Sequence, residues 1–312
     1  MTANTQSPSG TEASTESPVI LSVRDLVVQF KTEDGWMTAV DGLSYDLRRG
    51  QTLGIVGESG SGKSVTNLAV MGLLPTPPAR VPRGEVLLHG EDLLRFDNKR
   101  MRKIRGNKIS MIFQDPMTSL NPFLRVSTQL AEMLEIHKGL RGKAAMEQVV
   151  SMLERVGIPD AGARATHYPH QFSGGMRQRV MIAMMLLNQP ELLIADEPTT
   201  ALDVTIQAQI LDLLRDLQRD HGTAITLITH DLGVVAGMAD HVLVMYSGKT
   251  MESGPTEDLF ARPAHPYTLG LLRSLPRVDA TEHDRLYSIP GRPPDLNARP
   301  PGCPFAPRCT FA

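Results

Sequence analysis

The chain has 312 residues, of which 41% are hydrophobic, and it carries 32 Lys and Arg residues against 34 Asp and Glu residues. This composition is typical of a globular protein with one large domain or two modest ones. The formal net charge of -2 gives no polyanion-binding signature, so no nucleic-acid partner is expected. The longest apolar run, 180–187, is far shorter than the roughly 20 residues of a membrane-spanning helix. Both cysteines lie in the last ten residues, which argues against a disulfide-stapled secreted scaffold and favours a reducing compartment.

Residues 1–18 are almost wholly small or polar, and no basic start is followed by an apolar stretch. This pattern predicts a disordered leader and not a signal peptide. Residues 19–48 alternate in part and are rich in β-branched side chains, with a turn signal at Asp34 and Gly35. They predict a β-hairpin or a small antiparallel sheet.

Short apolar runs then alternate with helical apolar spacing, which predicts an α/β core. The predicted strands are 51–56, 191–195 and 224–228, the predicted helices are 64–74, several between about 115 and 189, and one around 210–217, and a loop is predicted over 75–82. After about residue 254 the chain is Pro-rich, especially over 289–308. This composition predicts an extended tail that packs on other structure.

The segment 57–64, Gly-Glu-Ser-Gly-Ser-Gly-Lys-Ser, lies between a predicted strand and a predicted helix and matches the pattern of a phosphate-binding loop. Its glycines allow successive N–H groups to point at phosphate oxygens, and the helix dipole adds positive potential. The residues predicted to surround the phosphates in this way are Gly57, Ser59, Gly60, Ser61 and Gly62. Lys63 would place a charge on the β- and γ-phosphates, as a catalytic residue, and the Ser64 hydroxyl would bind magnesium. The alternative is a flexible Gly/Ser turn.

Two carboxylates, Asp196 and Glu197, follow the apolar run 192–195. At the end of a parallel strand, Asp196 would lie at the carboxyl edge of the sheet, where ligands bind in open α/β folds. Asp196 would then bind magnesium, directly or through water, and Glu197 would polarise the attacking water. The alternative is a helix start at which Glu197 serves the helix dipole.

Residues 172–178, Phe-Ser-Gly-Gly-Met-Arg-Gln, resemble the signature motif of ATP-binding cassette (ABC) proteins, with Phe and Met in the places commonly held by Leu and Gln. Ser173, Gly174 and Gly175 could open a helix and offer N–H donors to a γ-phosphate. In the ABC family this motif serves the nucleotide on the opposite subunit, so that two chains enclose two ATP molecules. Ser-Gly-Gly by itself is also a common N-cap turn.

Three further motifs follow the family's order. They are 113–116, Phe-Gln-Asp-Pro, which is similar to the Q-loop, 200–203, Thr-Ala-Leu-Asp, which is similar to the D-loop, and 228–231, Ile-Thr-His-Asp, which is similar to the switch region. The resemblance implies that Gln114 senses magnesium and the attacking water, and that His230 contacts the γ-phosphate. ABC ATPases usually stack adenine on an aromatic residue upstream of the phosphate loop. Phe30 is the first candidate and Trp36 the second, and both could instead pack within the hairpin.

The resemblance implies an α/β fold with a P-loop RecA-like core, an N-terminal antiparallel β subdomain, an inserted α-helical signature subdomain and a Pro-rich C-terminal tail. The expected ATPase domain covers 19–254, with its helical subdomain at about 115–189, and the tail covers 255–312. ATP and Mg²⁺ are the expected ligands.

Four segments narrow the resemblance to the dipeptide/oligopeptide/nickel importer ATPases; they are 168–171, 195–205, 265–268 and 302–309. Membership would imply an ATPase bound peripherally to the cytoplasmic face of the membrane. Its partners would be two integral-membrane permease subunits, a second ABC ATPase, which in this family is usually a paralogue, and an extracytoplasmic substrate-binding protein. The alternatives are a soluble ABC ATPase of repair or translation and a non-enzymatic, nucleotide-gated or redox subunit. Neither a second phosphate loop nor sustained heptads support the first, and the presence of Glu197 and His230 disfavours the second.

Some members of this family hold a [4Fe-4S] cluster with four tail cysteines, and Cys303 and Cys309 resemble the first two. Thiolates are the usual ligands of such clusters, but two do not complete a four-cysteine site. Three interpretations stay open: the chain is a fragment of a longer one, the missing ligands come from elsewhere, or both residues are free thiols.

Overall fold

A computed structural model of the chain describes residues 17–113, 120–199, 203–275 and 287–312. The strands within these residues are β1 (Val19–Thr32), β2 (Gly35–Arg48), β3 (Thr52–Val56), β4 (Ala79–Leu88), β5 (Glu91–Asp92), β6 (Ile109–Ile112), β7 (Leu192–Asp196), β8 (Ala224–Ile228), β9 (His241–Tyr246) and β10 (Lys249–Pro255). The α-helices are α1 (Lys63–Val70), α2 (Asn98–Ile104), α3 (Val126–Lys138), α4 (Gly142–Arg155), α5 (Ala161–Arg164), α6 (Gly174–Leu186), α7 (Val204–His221), α8 (Leu232–Met238), α9 (Thr256–Ala261) and α10 (Pro266–Arg273). Residues 1–16 of the predicted leader, Gln114, and residues 200–202 of the predicted D-loop lie outside the described residues.

The predicted antiparallel sheet contains the hairpin of β1 and β2 and two strands that the sequence pattern did not reveal. Its order is β2-β1-β4-β5, and all neighbours pair antiparallel. The predicted loop over 75–82 is wrong in its second half, because β4 begins at Ala79, which pairs with Phe30 of β1. That pairing joins residues far apart in the chain, so local Pro-rich composition does not indicate it.

The second sheet is the predicted α/β core, with the order β10-β9-β3-β8-β7-β6. The strands from β9 to β6 pair parallel, and only the edge strand β10 among the described strands of this sheet is antiparallel to its neighbour. All residues of β3, β7 and β8 are buried, as their apolar runs predict. The predicted helix 64–74 is α1, which ends already at Val70, where Gly72 follows with a left-handed φ of 60°.

Helices α3 to α6 lie between β6 and β7 in the chain, within the region predicted to be helical. Their apolar residues form one hydrophobic core with residues of β7, β8 and α7; fully buried members include Leu130, Val149, Ile182 and Leu214. The helical segment is therefore packed onto the sheet. Among the described residues, no helix combines the length and the apolar character that a membrane span requires.

The prediction of an extended tail over 255–312 is wrong for its first part, which contains the helices α9 and α10; Pro266 stands in the first turn of α10, where a proline is compatible with a helix. Residues 287–312 are mostly irregular, as predicted, and pack against β9 and α10. Their one regular element is a short 3-10 helix, Ala306–Arg308. Phe305 is 3% exposed and shares a hydrophobic cluster with Tyr246 of β9 and Tyr267 of α10. Val56, the last residue of β3, belongs to the same cluster. The tail is thus joined to the strand that leads into the predicted phosphate loop.

Gly54, in the middle of β3, lets α8 approach the sheet. A Cβ atom there would lie 2.9 Å from Val235 Cγ1 and 3.1 Å from Ala239 Cβ. Because the core is close-packed, we expect Gly54→Ala to lower the free energy of unfolding by about 1–3 kcal/mol, measured by urea denaturation.

The matched control is Gly254→Ala in β10, where a Cβ would meet nothing within 4 Å. We expect that substitution to change the free energy of unfolding by less than about 0.5 kcal/mol. In addition, Gly54→Ala combined with Val235→Ala should lose less stability than the sum of the two single variants, because the second change removes the clashing methyl. Equal losses in the two glycine variants would contradict this packing argument.

Candidate functional site

An open pocket of about 440 Å³ lies at the carboxyl edge of the central sheet. It brings together most of the residues that the sequence predicts for nucleotide binding and catalysis. Those that line it are Phe30, Gly57, Ser59, Gly60, Ser61, Gly62, Lys63, Ser64, Asp196, Glu197 and His230. They come from both sheets and from segments nearly 200 residues apart, which supports a common function.

The phosphate loop connects β3 to α1 with little room around its backbone. Gly57 has φ 150°, and a Cβ atom there would lie only 2.1 Å from the carbonyl oxygen of Met245, so no other residue fits without displacing β9. Gly62 is the N-cap of α1 and has φ 101°. The first N–H groups of a helix have no acceptor within that helix. This end of α1 therefore offers donors to an anion, and the loop fits a polyphosphate.

Lys63 folds back over the loop. Its Nζ donates hydrogen bonds to the carbonyl oxygens of Gly57 (2.8 Å) and Glu58 (3.0 Å). Burial lowers the pKa of Lys63, while the carboxylates of Asp196, Glu197 and Glu58 act in the opposite direction. Its ammonium group thus lies in a largely dehydrated position among acids, where an anionic ligand would gain most from it.

Asp196 ends β7 and is 5% exposed. Burial raises the pKa of Asp196, and a hydrogen bond with Ser64 acts against that shift. The two residues predicted to bind magnesium are therefore neighbours. Hydroxyl and carboxylate oxygens are ligands that Mg²⁺ prefers, and it usually takes one or two carboxylates together with phosphate oxygens and water. Ser64 and Asp196 fit this ion.

Glu197 is held in a strained conformation directly beside Asp196. It has φ 50°, and its N–H donates to the carbonyl oxygen of Ile228 at 2.9 Å. A non-glycine residue in this region costs about 1–3 kcal/mol, and such strain is concentrated at functional sites. His230 Nδ1 lies 3.4 Å from Glu197 Oε1, with the Glu197 side chain 18% and the His230 side chain 67% exposed. This carboxylate can accept a proton from a water in the pocket while the imidazole remains open to a ligand.

Of the two candidates for adenine stacking, the structure brings Phe30 to the pocket and not Trp36. Phe30 lines the pocket together with Met37 and Leu296. Trp36 is 42% exposed, and the guanidinium of Arg80 lies 3.6 Å from its ring centroid. That Phe30 stacks on adenine stays a prediction, and its position in the pocket wall is compatible with that role.

Ser173, Gly174 and Gly175 do not line this pocket. Ser173 is the N-cap of α6, where its Oγ accepts a hydrogen bond from the N–H of Met176 at 3.3 Å, and the two glycines form the first turn. Their exposed helix start can receive an anion from another molecule. That this anion is the nucleotide of an opposite subunit stays a prediction, as does the role of Gln114, which lies outside the described residues.

The described residues do not bring together the ligands of the predicted iron–sulfur site around the cysteine tail. Cys303 is exposed, with Sγ 3.8 Å from His265 Nε2, and Cys309 packs against the aromatic cluster of the tail. In 17–113, 120–199, 203–275 and 287–312, no group of three or more His, Cys, Asp or Glu side chains could hold a metal ion. Since a cluster needs four such ligands, the assignment of Cys303 and Cys309 as metal ligands is not supported.

Several residues that line the pocket were not predicted to be site residues. They are Met37, Ala39, Val65 and Leu296, and also Ile228, which the sequence placed in the switch motif without a role in the site. Their apolar character predicts burial but does not distinguish a pocket wall from a core position. Leu296 is the least expected, because it comes from the tail. The tail also reaches Glu58 of the phosphate loop through Arg308, at 2.6 Å.

Comparisons with known proteins agree with this geometry. The family model of the ABC transporter matches residues 40–200, and the model of the oligopeptide/dipeptide transporter C-terminal region matches residues 251–312. The oligopeptide transport ATP-binding protein OppD of Salmonella typhimurium is 56% identical over 306 residues, which cover 98% of this chain and 90% of that protein. The dipeptide transport ATP-binding protein DppD of Bacillus subtilis is 58% identical over 290 residues, which cover 93% of this chain and 86% of that protein.

Among solved structures, the dimeric ATP-binding cassette MJ0796 bound to ADP and Pi superposes with a TM-score of 0.68 at 26% identity, covering 76% of this chain and 98% of that chain. The α/β fold with a P-loop core, predicted from the sequence, is therefore confirmed. Because the identity to the transport proteins extends over nearly the whole length, the chain belongs to the ABC transporter family, in its oligopeptide/dipeptide branch, as an ATP-hydrolysing subunit.

Proposed function

We propose that this chain drives the import of dipeptides or oligopeptides by binding and hydrolysing ATP in the pocket between its two sheets. The observation that carries the proposal is the convergence of the phosphate loop, Asp196, Glu197 and His230 in that pocket. The relatives named for oligopeptide and dipeptide transport support the substrate class.

Binding is assigned to the loop 57–64 and to Phe30. The N–H groups at the start of α1 would hold the phosphates, and the Lys63 ammonium would exchange its carbonyl partners for phosphate oxygens. Ser64 and Asp196 would hold Mg²⁺, which when bound neutralises charge on the β- and γ-phosphates. Phe30 would stack on adenine. These contacts orient the γ-phosphate toward the end of β7.

Hydrolysis is assigned to Glu197 and His230. Glu197 Oε1 would accept a proton from the attacking water, since its carboxylate is mostly buried and aimed into the pocket. The main-chain bond to Ile228 keeps that carboxylate at the end of the strand. His230 would contact the γ-phosphate, and Gln114 would sense the metal and the water.

The complete enzyme is proposed to contain two ATPase subunits. Ser173, Gly174 and Gly175 lie outside this chain's own pocket, at the free start of α6, which supports a role toward the partner's nucleotide. We further propose that the second ATPase is a paralogue, and that the pair binds two permease subunits at the cytoplasmic face of the membrane. An extracytoplasmic substrate-binding protein would deliver the peptide. The iron–sulfur cluster is not part of the proposal.

Replacing Glu197 by Gln should lower ATP turnover by about 100-fold or more, because the variant cannot accept the proton. ATP binding should persist, because the phosphate contacts are unchanged. Phosphate release by the assembled transporter measures the first quantity, and filter binding of labelled ATP measures the second.

The control is Glu191→Gln at the opposite edge of the sheet, where Glu191 pairs with His89. It should leave turnover within about two-fold, since surface changes away from the site have little effect. Undiminished turnover in Glu197→Gln would refute the catalytic assignment.

Replacing Asp196 by Asn should stabilise the nucleotide-free protein at neutral pH by about 0.5–2 kcal/mol, because the buried carboxylate no longer has to be dehydrated. The folded pKa of Asp196 is raised, so the folded state binds its proton more tightly than the unfolded state does. The wild type therefore loses folding stability as the pH rises from the pKa of Asp196 in the unfolded state to its higher pKa in the folded state. Below that interval the stabilisation by the substitution should vanish.

Thermal unfolding of both proteins as a function of pH measures this effect. Asp212→Asn on the exposed face of α7 is the control and should shift stability by less than about 0.5 kcal/mol. Asp196→Asn should also abolish the dependence of ATP binding on Mg²⁺. A variant less stable than the wild type at neutral pH would contradict the dehydration argument.

The transport role predicts a specific stimulation. The chain is reconstituted in proteoliposomes with its permeases and its paralogue. ATP hydrolysis should then be faster when a peptide-loaded binding protein is present on the side of the membrane opposite to the ATPase subunits than when the binding protein is empty. Nickel in place of peptide should give no stimulation. Stimulation of ATP hydrolysis by nickel and not by peptide would contradict the proposed substrate class.

A further inference from the structure

The phosphate loop is held from outside by the C-terminal tail. Arg308 Nη1 lies 2.6 Å from Glu58 Oε2, and Arg308 Nη2 lies 3.0 Å from Glu58 Oε1. This pair is bidentate, and the Arg308 side chain is only 4% exposed. Bidentate, dehydrated ion pairs of this kind fix the relative orientation of two groups. Glu58 is the second residue of the loop, so this ion pair joins the tail to the beginning of the loop.

Arg308 is itself rigidly placed. Its Nη1 also donates to the hydroxyl of Tyr246 (3.1 Å), its Nε to the carbonyl oxygen of Pro290 (2.8 Å), and its Nη2 to that of Ile289 (3.2 Å). The guanidinium, near the end of the tail, is thus hydrogen-bonded to β9 and to the beginning of residues 287–312 at once. A group with this many partners can transmit the position of the tail to Glu58.

The main chain of Glu58 is also engaged. Its N–H donates to the hydroxyl of Tyr267 at 2.9 Å, and its carbonyl oxygen accepts hydrogen bonds from Lys63 Nζ (3.0 Å) and from the N–H of Ser61 (3.2 Å). The rings of Tyr246, Tyr267 and Phe305 pack on one another, with centroids 4.6–5.4 Å apart. The side chain and the N–H of Glu58 are therefore held by Arg308 and Tyr267, which both lie C-terminal to β10. Its carbonyl holds the lysine that is assigned to the phosphates.

The tail also reaches the other end of the pocket. Leu296 lines it beside Phe30 and Met37. Arg299 anchors this part of the tail, because it forms an ion pair with Asp41 at 3.4 Å and donates to the carbonyl oxygen of Thr38 in β2. The Arg299 side chain is 14% exposed. One tail segment thus borders the predicted base end and the phosphate end of the same pocket.

We infer that residues 287–312 are a working part of the nucleotide site, in which Arg308 acts through Glu58 as a positioning residue for the phosphate loop and Leu296 forms a wall of the base end. The inference rests on the proposed assignment of the pocket to ATP. A loop with several glycines samples many conformations, and binding must restrict them. A loop already fixed at Glu58 loses less conformational freedom on binding, so the tail increases the affinity for ATP.

The test compares the dissociation constant for ATP, measured by displacement of a fluorescent ATP analogue, with the thermal stability of the full chain without nucleotide. Glu58→Gln and Arg308→Gln should each weaken ATP binding by about 10-fold, the effect of losing a charged hydrogen-bonded pair. The double variant should bind no more weakly than either single variant, because both remove one interaction. Arg308→Lys keeps the charge without the second hydrogen bond and should recover part of the affinity.

The matched control is Arg292→Gln, an exposed arginine of the same tail, which should bind ATP like the wild type. If Arg308→Gln does not fold, Glu58→Gln keeps the inference testable, since it removes the same ion pair from the side of the loop. Variants that lower the unfolding temperature but keep the wild-type affinity would show that the tail is merely structural and would overturn the inference. A wild-type chain that does not bind ATP would instead refute the proposed function.

The two ends of the pocket can be separated with inorganic tripolyphosphate as a probe. Leu296→Ala should weaken binding of ATP but not of tripolyphosphate, which has no base. Glu58→Gln should weaken both. If Leu296→Ala and the wild type bind ATP with equal affinity, Leu296 does not contribute to the site.

Discussion

The candidate site depends on one constraint: β3, β7 and β8 run parallel and end at the same edge of a buried sheet. β3 leads directly into the phosphate loop, β7 ends in Asp196, and β8 leads into the segment that carries His230. Because the strands are buried on both faces, their register cannot slip without exposing apolar side chains. Close approach of α8 at Gly54 keeps β3 in place. Packing remote from the ligand therefore fixes the distances within the site.

The same edge concentrates groups that a folded protein stabilises poorly without a ligand. Lys63 and Asp196 are largely dehydrated, and Glu197 has a strained backbone. Their mutual attraction and the loop carbonyls offset part of this cost. A nucleotide with its metal would offset more, since it supplies opposite charge to both the lysine and the acid. The C-terminal tail contributes from outside the pocket, because Arg308 holds the side chain of Glu58.

Local patterns predicted the features that need only neighbouring residues. The hairpin of β1 and β2, the fully apolar core strands and the glycine-rich loop followed by α1 all have signals within one short segment. The pairing of β4 with β1 had none, because it joins residues about fifty to seventy positions apart. The ion pair of Arg308 with Glu58 joins residues even farther apart. The resemblance to the importer family suggested Cys303 and Cys309 as metal ligands, but the described residues do not bring the other ligands together.

The chemistry of this protein could be predicted from residue types and short spacings: glycines that leave room for phosphates, a lysine and a serine to contact them, and paired acids after an apolar strand. These depend on residue type and short spacing, which the chain carries in any conformation. Which aromatic residue lines the pocket, and that Leu296 of the tail lines it too, became clear from the folded structure alone. The reason is that proximity between distant segments follows from packing and sheet order, which no single segment encodes.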